Sequence, residues 1–429
     1  MKTLFKKQQE AADFFLRCLR NGVNTLDSSD VGTGKTVVAA HIAKVLKRPV
    51  AVICPKAVIP AWERELEEMG VTPMFVINYE KIRTGKTEYM SKRAKKIFLW
   101  NLPENTLVLC DEAHKMKGPF TLNSQLAISL VNQGHQLHMM SATAAEDPTE
   151  MRALGYVLDL HSLNETKGSK KNWYSWMYQF GCAKDLWNQW CLKKRSKLLE
   201  LHDIMYSNNC KRLTVRDFPD SFRANRVFIE PIQFQEQRKI LNAYKEAGIT
   251  PAIVTKFFES SDVEDSEFEM VNLLRARQLA ESFKVKDMAD MSKELLNQKK
   301  SVVLFVNFSD TVEALCGILK CKCIRGGQNP KERQDIIDAF QRDEEHVLVV
   351  NTAAGGTGIS LHDVNGNRQR VTLISPSFNV KDYMQALGRI HRNGAKSDAI
   401  QKILVASDTV EEKVIEAIEN KVANIRALH

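Results

Sequence analysis

Short apolar runs alternate with amphipathic helical patterns through the first 145 residues of the chain. The runs Val50–Cys54 and Thr106–Cys110 are mostly apolar, which is typical of strands buried on both faces of a parallel sheet. Helical patterns begin after Lys35 and after Ala61. Strands that alternate with helices in this way predict a doubly wound α/β sheet.

The same alternation returns near residue 301. The strand candidates there are Ser301–Phe305, Val347–Val350 and Val371–Ile374, and helical patterns separate them at about 309–320, 330–341 and 381–390. We therefore predict two α/β lobes, at residues 1–220 and 221–429. We also predict a helical insertion, rich in aromatic and basic residues, at about 155–210 and a mostly helical lead-in to the second lobe at about 232–300.

Composition places the chain among ordinary globular proteins. Apolar residues make up 44% and charged residues 26% of its 429 positions. A chain of this length suits two or three domains and needs no disulfide or metal to stabilise its core. Its nine cysteines are scattered, and the one close pair, Cys321 and Cys323, does not have zinc-site spacing. We expect reduced, structural thiols.

No apolar run approaches the roughly 20 residues that span a bilayer, and the first residues lack the apolar core of a signal peptide. These features predict no membrane partner and a cytosolic protein, or a nuclear one if the host has a nucleus. The net charge of +9 and the isoelectric point near 8.9 fit a polyanionic partner such as nucleic acid.

The run LDSSDVGTGKT, Leu26–Thr36, joins a weak strand pattern to a helical one and predicts a phosphate-binding loop. Glycines let backbone N–H groups wrap around phosphates, and the N-terminus of the following helix favours negative charge. Lys35 would reach the β- and γ-phosphates, and the Thr36 hydroxyl would bind Mg²⁺. Ser29 stands where the motif has its first glycine. The candidate nucleotide-binding residues of this loop are Gly32, Thr33, Gly34, Lys35 and Thr36.

The sequence DEAH, at Asp111–His114, directly follows the strand candidate Thr106–Cys110. In open α/β sheets, ligands bind beyond the carboxyl ends of parallel strands. Asp111 would therefore hold Mg²⁺ together with Thr36, and Glu112 would orient and deprotonate the attacking water.

Further segments follow in the order of the motifs of superfamily 2 helicases and translocases. They are Leu4–Phe15, Val52–Glu65, Ile77–Arg83, Met139–Thr143, Lys211–Asp220, Val302–Leu315, Thr352–Leu361, Gln385–Gly394 and Asp408–Glu416. Over most of its length the chain resembles that superfamily and is most similar to its Swi/Snf-type DNA-dependent ATPases. Two positions depart from the Swi/Snf-type pattern: Ser-Ala-Thr at 141–143 is more typical of true helicases, and Gly388 stands where remodelling enzymes usually carry aspartate.

The resemblance implies two RecA-like doubly wound parallel-sheet lobes with a helical insertion between them, and ATP and Mg²⁺ bound between the lobes. It also implies roles for particular residues. Gln8 would read adenine, and Gly358 would contact the nucleotide. The residues that couple hydrolysis to movement would be His114, Ser141, Thr143 and Gln385. The residues that grip nucleic acid would be Lys56, Asn78, Asn307 and Thr352.

Arg389 and Arg392 lie three positions apart in a segment whose pattern predicts a helix, so they would share one helix face. The resemblance makes them the catalytic arginines that reach the γ-phosphate. Another stripe, formed by Trp173, Trp176, Phe180, Trp187 and Trp190, also has helical spacing. Its aromatics would either pack against the first lobe or stack nucleic-acid bases.

Three functions remain open from the sequence. The first is an ATP-driven translocase on double-stranded or forked DNA that remodels DNA or protein–DNA complexes, its target set by protein partners. The second is a helicase that separates DNA or RNA strands. The third is a nucleic-acid-binding scaffold without catalysis, which the intact phosphate loop, DEAH box and arginines disfavour.

Overall fold

The computed structural model describes residues 3–94, 97–185, 188–259, 267–355 and 359–429. The chain divides into two compact units. The first unit comprises Met1–Phe218 together with Val422–His429, and the second comprises Pro219–Lys421. The last eight residues of the chain therefore belong to the first unit. Among the described residues, no helix is both long enough and apolar enough to cross a bilayer.

The first unit is built on parallel strands with helices between them. Its strands are β1 Thr25–Asp27, β2 Val50–Cys54, β3 Phe75–Asn78, β4 Met90–Ala94, β5 Ile97–Trp100, β6 Leu107–Asp111, β7 Gln136–Met140, β8 Cys182–Lys184, β9 Trp190–Leu192 and β10 Cys210–Lys211. Its helices are α1 Lys6–Arg20, α2 Lys35–Leu46, α3 Ile59–Met69, α4 Tyr79–Ile82, α5 Leu122–Asn132, α6 Arg152–Val157, α7 Trp173–Gln179 and α8 Lys197–Asn208.

The main sheet of this unit has the order β10-β1-β7-β6-β2-β3, and all its pairings are parallel. Strand β2 is buried at every position, as its unbroken apolar run predicts. Strands β1, β7 and β6 are neighbours, so the loops that follow them leave the sheet at the same edge. Those loops carry the phosphate-binding run, the Ser-Ala-Thr segment and the DEAH sequence.

The second unit repeats the architecture. Its strands are β11 Asn225–Ile232, β12 Ser301–Val306, β13 Lys322–Ile324, β14 Val347–Asn351, β15 Arg370–Ile374 and β16 Ala399–Ala406, in the order β11-β16-β15-β12-β14-β13. Its helices are α9 Gln237–Glu246, α10 Pro251–Glu259, α11 Glu267–Phe283, α12 Val285–Asn297, α13 Ser309–Leu319, α14 Pro330–Gln341, α15 Thr352–Gly355 and α16 Val380–Leu387. A final helix, α17 Val410–Leu428, ends in the residues that belong to the first unit.

A buried ion pair ties together elements of the second unit that are far apart in sequence. Lys284 is the residue before α12, and its ammonium group contacts the carboxylate of Glu411 on α17. Both side chains are almost fully buried. Lys284 also donates to the Leu404 carbonyl oxygen at 3.1 Å, and Glu411 accepts from the Tyr244 hydroxyl at 3.1 Å. These added hydrogen bonds offset part of the cost of removing two charges from water.

The region between residues 155 and 210 is less helical than the sequence predicts. Helix α7 ends at Gln179, and β8 and β9 form an antiparallel hairpin after it. Trp190 lies on β9, so the prediction of one aromatic helix face is wrong; Trp187 lies outside the described residues. The physical reason is Gly181, whose φ of +82° turns the chain away from the helix.

Candidate functional site

The loop before α2 has the backbone that its glycines predict. Gly32 and Gly34 adopt φ values of +86° and +95°, in the left-handed region that glycine tolerates best. Gly34 is the N-cap of α2, so the helix begins at Lys35 with its first N–H groups at the loop. The Thr33 hydroxyl donates to the Asp30 carbonyl oxygen at 2.8 Å and closes the turn. This geometry suits a phosphate group.

The conformation and contacts of Ser29 show why the loop does not require glycine at this position of its motif. Ser29 is buried and does not have a positive φ, so its position does not require glycine. Its hydroxyl accepts a hydrogen bond from the Leu213 N–H at 2.9 Å. The next residue, Asp30, forms an ion pair with Arg212 at 2.7 Å. The segment around Arg212 thus anchors the loop, a role that its local sequence does not reveal.

Gln8 fastens α1 to the phosphate-binding loop. It is buried, its amide nitrogen donates to the Thr33 carbonyl oxygen at 2.8 Å, and its amide oxygen accepts from the Phe5 N–H at 3.0 Å. A Cβ atom at Gly34 would lie 2.3 Å from the Gln8 amide nitrogen. Glycine at 34 is therefore required by close packing as well as by φ. The structure places Gln8 at the loop; its reading of adenine stays a prediction.

The loop lysine lies close to two carboxylates. The Lys35 ammonium donates to the carbonyl oxygens of Ser29 and Asp30, at 2.6 and 3.0 Å. Burial raises the pKa of Asp27 and of Asp111, and the Lys35 charge opposes that rise at both carboxylates. The structure thus brings the phosphate-binding loop and the DEAH sequence together within one unit.

Asp111 is held at both carboxylate oxygens. One accepts from the Trp62 indole N–H at 2.8 Å and the other from the Glu112 backbone N–H at 2.9 Å. The Tyr79 hydroxyl donates to the Asp111 carbonyl oxygen at 2.8 Å. Burial first, and then the neighbouring Glu112 charge, raise the pKa of Asp111 to about 6. Trp62 and Tyr79 were not predictable as site residues, because nothing in their local pattern reveals that they contact the distant Asp111.

The donor set fits a divalent cation. Burial and then the neighbouring Glu112 charge raise the pKa of Asp111, and a divalent cation at this point would reduce the repulsion between the two carboxylates. Carboxylate and hydroxyl oxygens are the ligands that Mg²⁺ prefers. Asp111 and Thr36 are the candidate ligands in the first unit.

Glu112 begins a chain of polar contacts that leads to the Ser-Ala-Thr segment. It has a left-handed φ of +52°, which turns the chain sharply after β6. Its carboxylate oxygen lies 3.1 Å from the His114 Nδ1 atom, which lies 3.0 Å from the Ser141 hydroxyl. The same hydroxyl accepts from the Thr143 N–H at 3.2 Å. Three of the predicted coupling residues are therefore joined to the predicted catalytic carboxylate.

The predicted residues of the second unit have other surroundings. Asn307 donates from its amide to the Glu281 carboxylate at 2.7 Å and to the Pro376 carbonyl oxygen at 3.1 Å. The Thr352 hydroxyl donates to the Val306 carbonyl oxygen at 3.0 Å, and Gln385 is buried. Gly358 lies outside the described residues. Asn307 and Thr352 thus help to hold their own unit together.

Arg389 and Arg392 do not lie on a helix, so that prediction is wrong. Helix α16 ends at Leu387, and the N–H of its C-cap residue Gly388 closes the last turn onto the Met384 carbonyl oxygen at 3.2 Å; glycine is a poor residue for continuing a helix. Arg389 is buried and donates to the Ile359 carbonyl oxygen at 3.3 Å. Arg392 donates from Nε to the Gly388 carbonyl oxygen at 3.1 Å.

Two predicted nucleic-acid contacts lie at the sheet edge of the first unit. Lys56 is exposed on the turn that follows β2. Asn78 ends β3, and its side chain caps α4 by accepting from the Lys81 N–H at 3.0 Å. Because β2 and β3 are parallel neighbours, the two residues share one edge.

Comparison with known proteins gives the family. Residues 286–394 match the helicase conserved C-terminal domain. The chain is 30% identical over 432 residues to the protein named putative ATP-dependent RNA helicase L364 of Acanthamoeba polyphaga mimivirus, and the match covers 94% of this chain and 79% of that protein. The chain belongs to superfamily 2 of the helicases and translocases. The resemblance inferred from the motifs is thereby confirmed.

Other superfamily 2 proteins are similar over most of this chain. Chromatin remodeling factor mit1 of Schizosaccharomyces pombe is 24% identical, over 92% of this chain but only 30% of its own length. The structure of S. cerevisiae Dbp5 bound to RNA and ADP BeF3 aligns with a TM-score of 0.53 at 14% identity, covering 99% of this chain and 93% of that one. This likeness confirms the predicted RecA-like fold of the two units.

Proposed function

We propose that this superfamily 2 protein is an ATP-dependent nucleic-acid motor, and that it acts as a translocase on double-stranded DNA that remodels DNA or protein–DNA complexes. The observation that carries the proposal is the contact chain from the Glu112 carboxylate through His114 to Ser141. It joins a residue that would act on the attacking water to the loop after β7. In a motor, such a connection would pass a change at the hydrolysis site to the loop after β7, whereas a protein that only binds a nucleotide does not require it.

The hydrolytic roles follow from the positions of the side chains in the first unit. Lys35 and the N–H groups at the start of α2 would bind phosphate oxygens. Asp111 and Thr36 would hold Mg²⁺, which supplies positive charge where negative charge develops on the phosphates. Glu112 would orient the attacking water and accept its proton. Arg389 and Arg392 of the second unit are proposed to assist hydrolysis as catalytic arginines.

Movement of Glu112 would be transmitted along hydrogen bonds. The Glu112 carboxylate and the Ser141 hydroxyl both contact the Nδ1 atom of His114. If the carboxylate moves and the imidazole follows it, the contact between Nδ1 and Ser141 is lost. A change at Ser141 would then release the Thr143 N–H. A ligand can shift such an arrangement only through contacts that differ between its two states, and cleavage of the γ-phosphate provides that difference.

Duplex DNA is proposed as the substrate from two observations. The motif resemblance is to Swi/Snf-type DNA-dependent ATPases, and mit1 is named a chromatin remodeling factor. Lys56 and Asn78 share the edge of β2 and β3 and would contact backbone phosphates. Contacts of this kind carry no sequence information, so binding should be weakly sequence-selective and strongly salt-dependent.

Strand separation is the second candidate. The Ser-Ala-Thr segment is more typical of true helicases, and the mimivirus relative is named an RNA helicase. That activity would require release of one strand from a partial duplex, whereas a translocase would displace a bound third strand or protein without unpairing the duplex.

Two assays on one set of substrates test the proposal. ATP turnover is measured with double-stranded DNA, single-stranded DNA and RNA, and strand release is measured on a partial duplex and on a triplex. We expect duplex DNA to stimulate turnover most, and ATP to drive triplex displacement without unwinding of the duplex. Lys35→Ala, which loses the phosphate-binding ammonium, should abolish both. Stimulation by RNA alone, or unwinding of the partial duplex, would favour the second candidate.

A further inference from the structure

Positive charge is concentrated in one short part of the first unit. Residues 161–200 contain eight lysines and arginines against three aspartates and glutamates, a net charge of +5, while the whole chain carries +9. This segment holds α7 and the hairpin of β8 and β9. More than half of the net charge therefore lies in less than a tenth of the sequence, which indicates an anionic partner at this surface.

Helix α7 presents two kinds of aromatic residue. Trp173 and Trp176 are buried and face the core of the unit. Tyr174 and Tyr178 lie four positions apart on the helix and are 43% and 71% exposed, and the Tyr174 ring also contacts the Trp173 ring, with centroids 5.0 Å apart. Packing explains the tryptophans and one side of the Tyr174 ring, but it does not explain why both tyrosine rings remain exposed on the same helix.

The tyrosines line a groove that also contains Lys171. The groove has a volume of about 520 Å³ and is lined by Thr166, Lys171, Tyr174, Ser175, Tyr178 and Trp190. The rings of Tyr174 and Trp190 are 6.1 Å apart, at an angle of 33°. Lys184 lies directly opposite Trp190 across the hairpin, so its side chain emerges on the same face. Lys171 and Lys184 are both exposed.

We propose that this surface, which we call the tyrosine groove, stacks unpaired bases of DNA beside a duplex held by the same unit. Aromatic rings bind bases of any sequence through their faces, and neighbouring lysines neutralise the phosphates between those bases. A base inside a duplex has both faces covered by its neighbours, so only an unpaired base can stack here. The proposal rests on the proposed function, in which the substrate is DNA, and adds a preference for junctions between duplex and single strand.

Binding without ATP tests the tyrosine groove. Fluorescence anisotropy compares a blunt DNA duplex with the same duplex carrying an oligothymidine tail. We expect the native protein to bind the tailed duplex more tightly. The double substitution Tyr174→Ala with Tyr178→Ala should reduce the ratio of the two affinities at least about fivefold, the loss expected for one stacked base. Thermal unfolding verifies that the double variant folds, as the exposure of both rings predicts.

Two matched variants separate stacking from other effects. Tyr174→Phe with Tyr178→Phe keeps both rings and should keep the ratio. Phe228→Ala removes a ring that is 43% exposed on β11 of the second unit, outside the groove, and should also keep it. An unchanged ratio in the alanine double variant, or an equal loss for blunt and tailed duplexes, would refute the tyrosine groove. A greater loss with an RNA tail than with the DNA tail would refute its assignment to DNA.

The same data distinguish the two proposals. If the alanine double variant loses the preference for tailed DNA but no nucleic acid stimulates ATP turnover of the native protein, the motor function fails and the groove remains supported. If DNA stimulates turnover but a tail adds no affinity, the groove fails and the motor function remains supported.

Discussion

Gly34→Ala should disrupt the phosphate-binding loop through two separable effects. The first is backbone strain, because a φ of +95° costs an alanine about 1–2 kcal/mol. The second is a collision, since the new Cβ would lie 2.3 Å from the Gln8 amide nitrogen. If Gln8 moves away, it loses hydrogen bonds to the Thr33 carbonyl and the Phe5 N–H, each contributing about 0.5–1.5 kcal/mol. The sum is a loss of about 2–5 kcal/mol.

A matched control isolates the collision. Gly22 has a φ of +78°, and nothing lies within 4 Å of where its Cβ would be. Gly22→Ala should therefore cost only the strain. In a Gln8→Ala background the collision partner is absent, so Gly34→Ala should there cost about as much as Gly22→Ala. The double-mutant cycle of Gln8 and Gly34 should give a coupling energy of about 1–3 kcal/mol.

Two measurements follow these variants. Urea unfolding of the first unit reports the free energy of unfolding, and ATP turnover reports the Michaelis constant for ATP. Gly34→Ala should raise that constant, because Gln8 and the loop both move, while Gly22→Ala should leave it unchanged. A coupling energy near zero between Gln8 and Gly34, or equal costs for both glycine substitutions in the native background, would refute the close packing inferred for Gly34.

Three further predictions concern buried polar groups. Trp62→Phe removes the indole donor to the Asp111 carboxylate and should lower kcat/KM for ATP about tenfold. The control Trp100→Phe loses a similar hydrogen bond to Ser129 and should reduce only thermal stability. Equal kcat/KM in the two variants would contradict the role of Trp62. Lys284→Met should lower the free energy of unfolding, measured by urea titration, by about 3–5 kcal/mol, because it leaves the Glu411 charge buried without its partner. Adding Glu411→Gln should recover part of that stability. A loss below about 1 kcal/mol for Lys284→Met would contradict the buried pair. Burial lowers the pKa of His138 to about 3. Below about pH 6.5 this imidazole therefore binds a proton in the unfolded chain but stays neutral in the folded chain. Stability should fall as the pH drops below that value, and His138→Asn should remove about 2 kcal/mol of the loss between pH 7 and pH 5; the same loss in both proteins would show that His138 does not contribute.

The sequence by itself determined the most apolar strands and the phosphate-binding turn. Val50–Cys54 is β2 residue for residue, and Ser301–Phe305 differs from β12 by one residue. The phosphate-binding loop was also predictable, because its glycines are needed for local backbone angles and its lysine begins a helix. Such features depend on neighbours only a few positions away, so a periodic pattern or a short motif records them.

Local pattern misled where a helix ended earlier than its residue spacing indicated. Arg389 lies beyond the end of α16, where Gly388 has an ordinary φ of −81°, and Trp190 lies beyond the turn at Gly181, whose φ is +82°. Residue spacing alone does not reveal whether a glycine continues a helix or ends it, since the outcome depends on what the turned chain can pack against.

Only the tertiary structure decided which side chains support the candidate site. Trp62 meets Asp111 across 49 residues, and Arg212 meets Asp30 across 182. Both partnerships depend on the order of the strands in the sheet, which places β6 beside β2 and β10 beside β1. Hydrophobic periodicity identifies a strand and its buried face, but it does not indicate which other strand lies next to that strand in the sheet. For that reason the motifs could be found in the sequence, while the contacts that hold them in place could not.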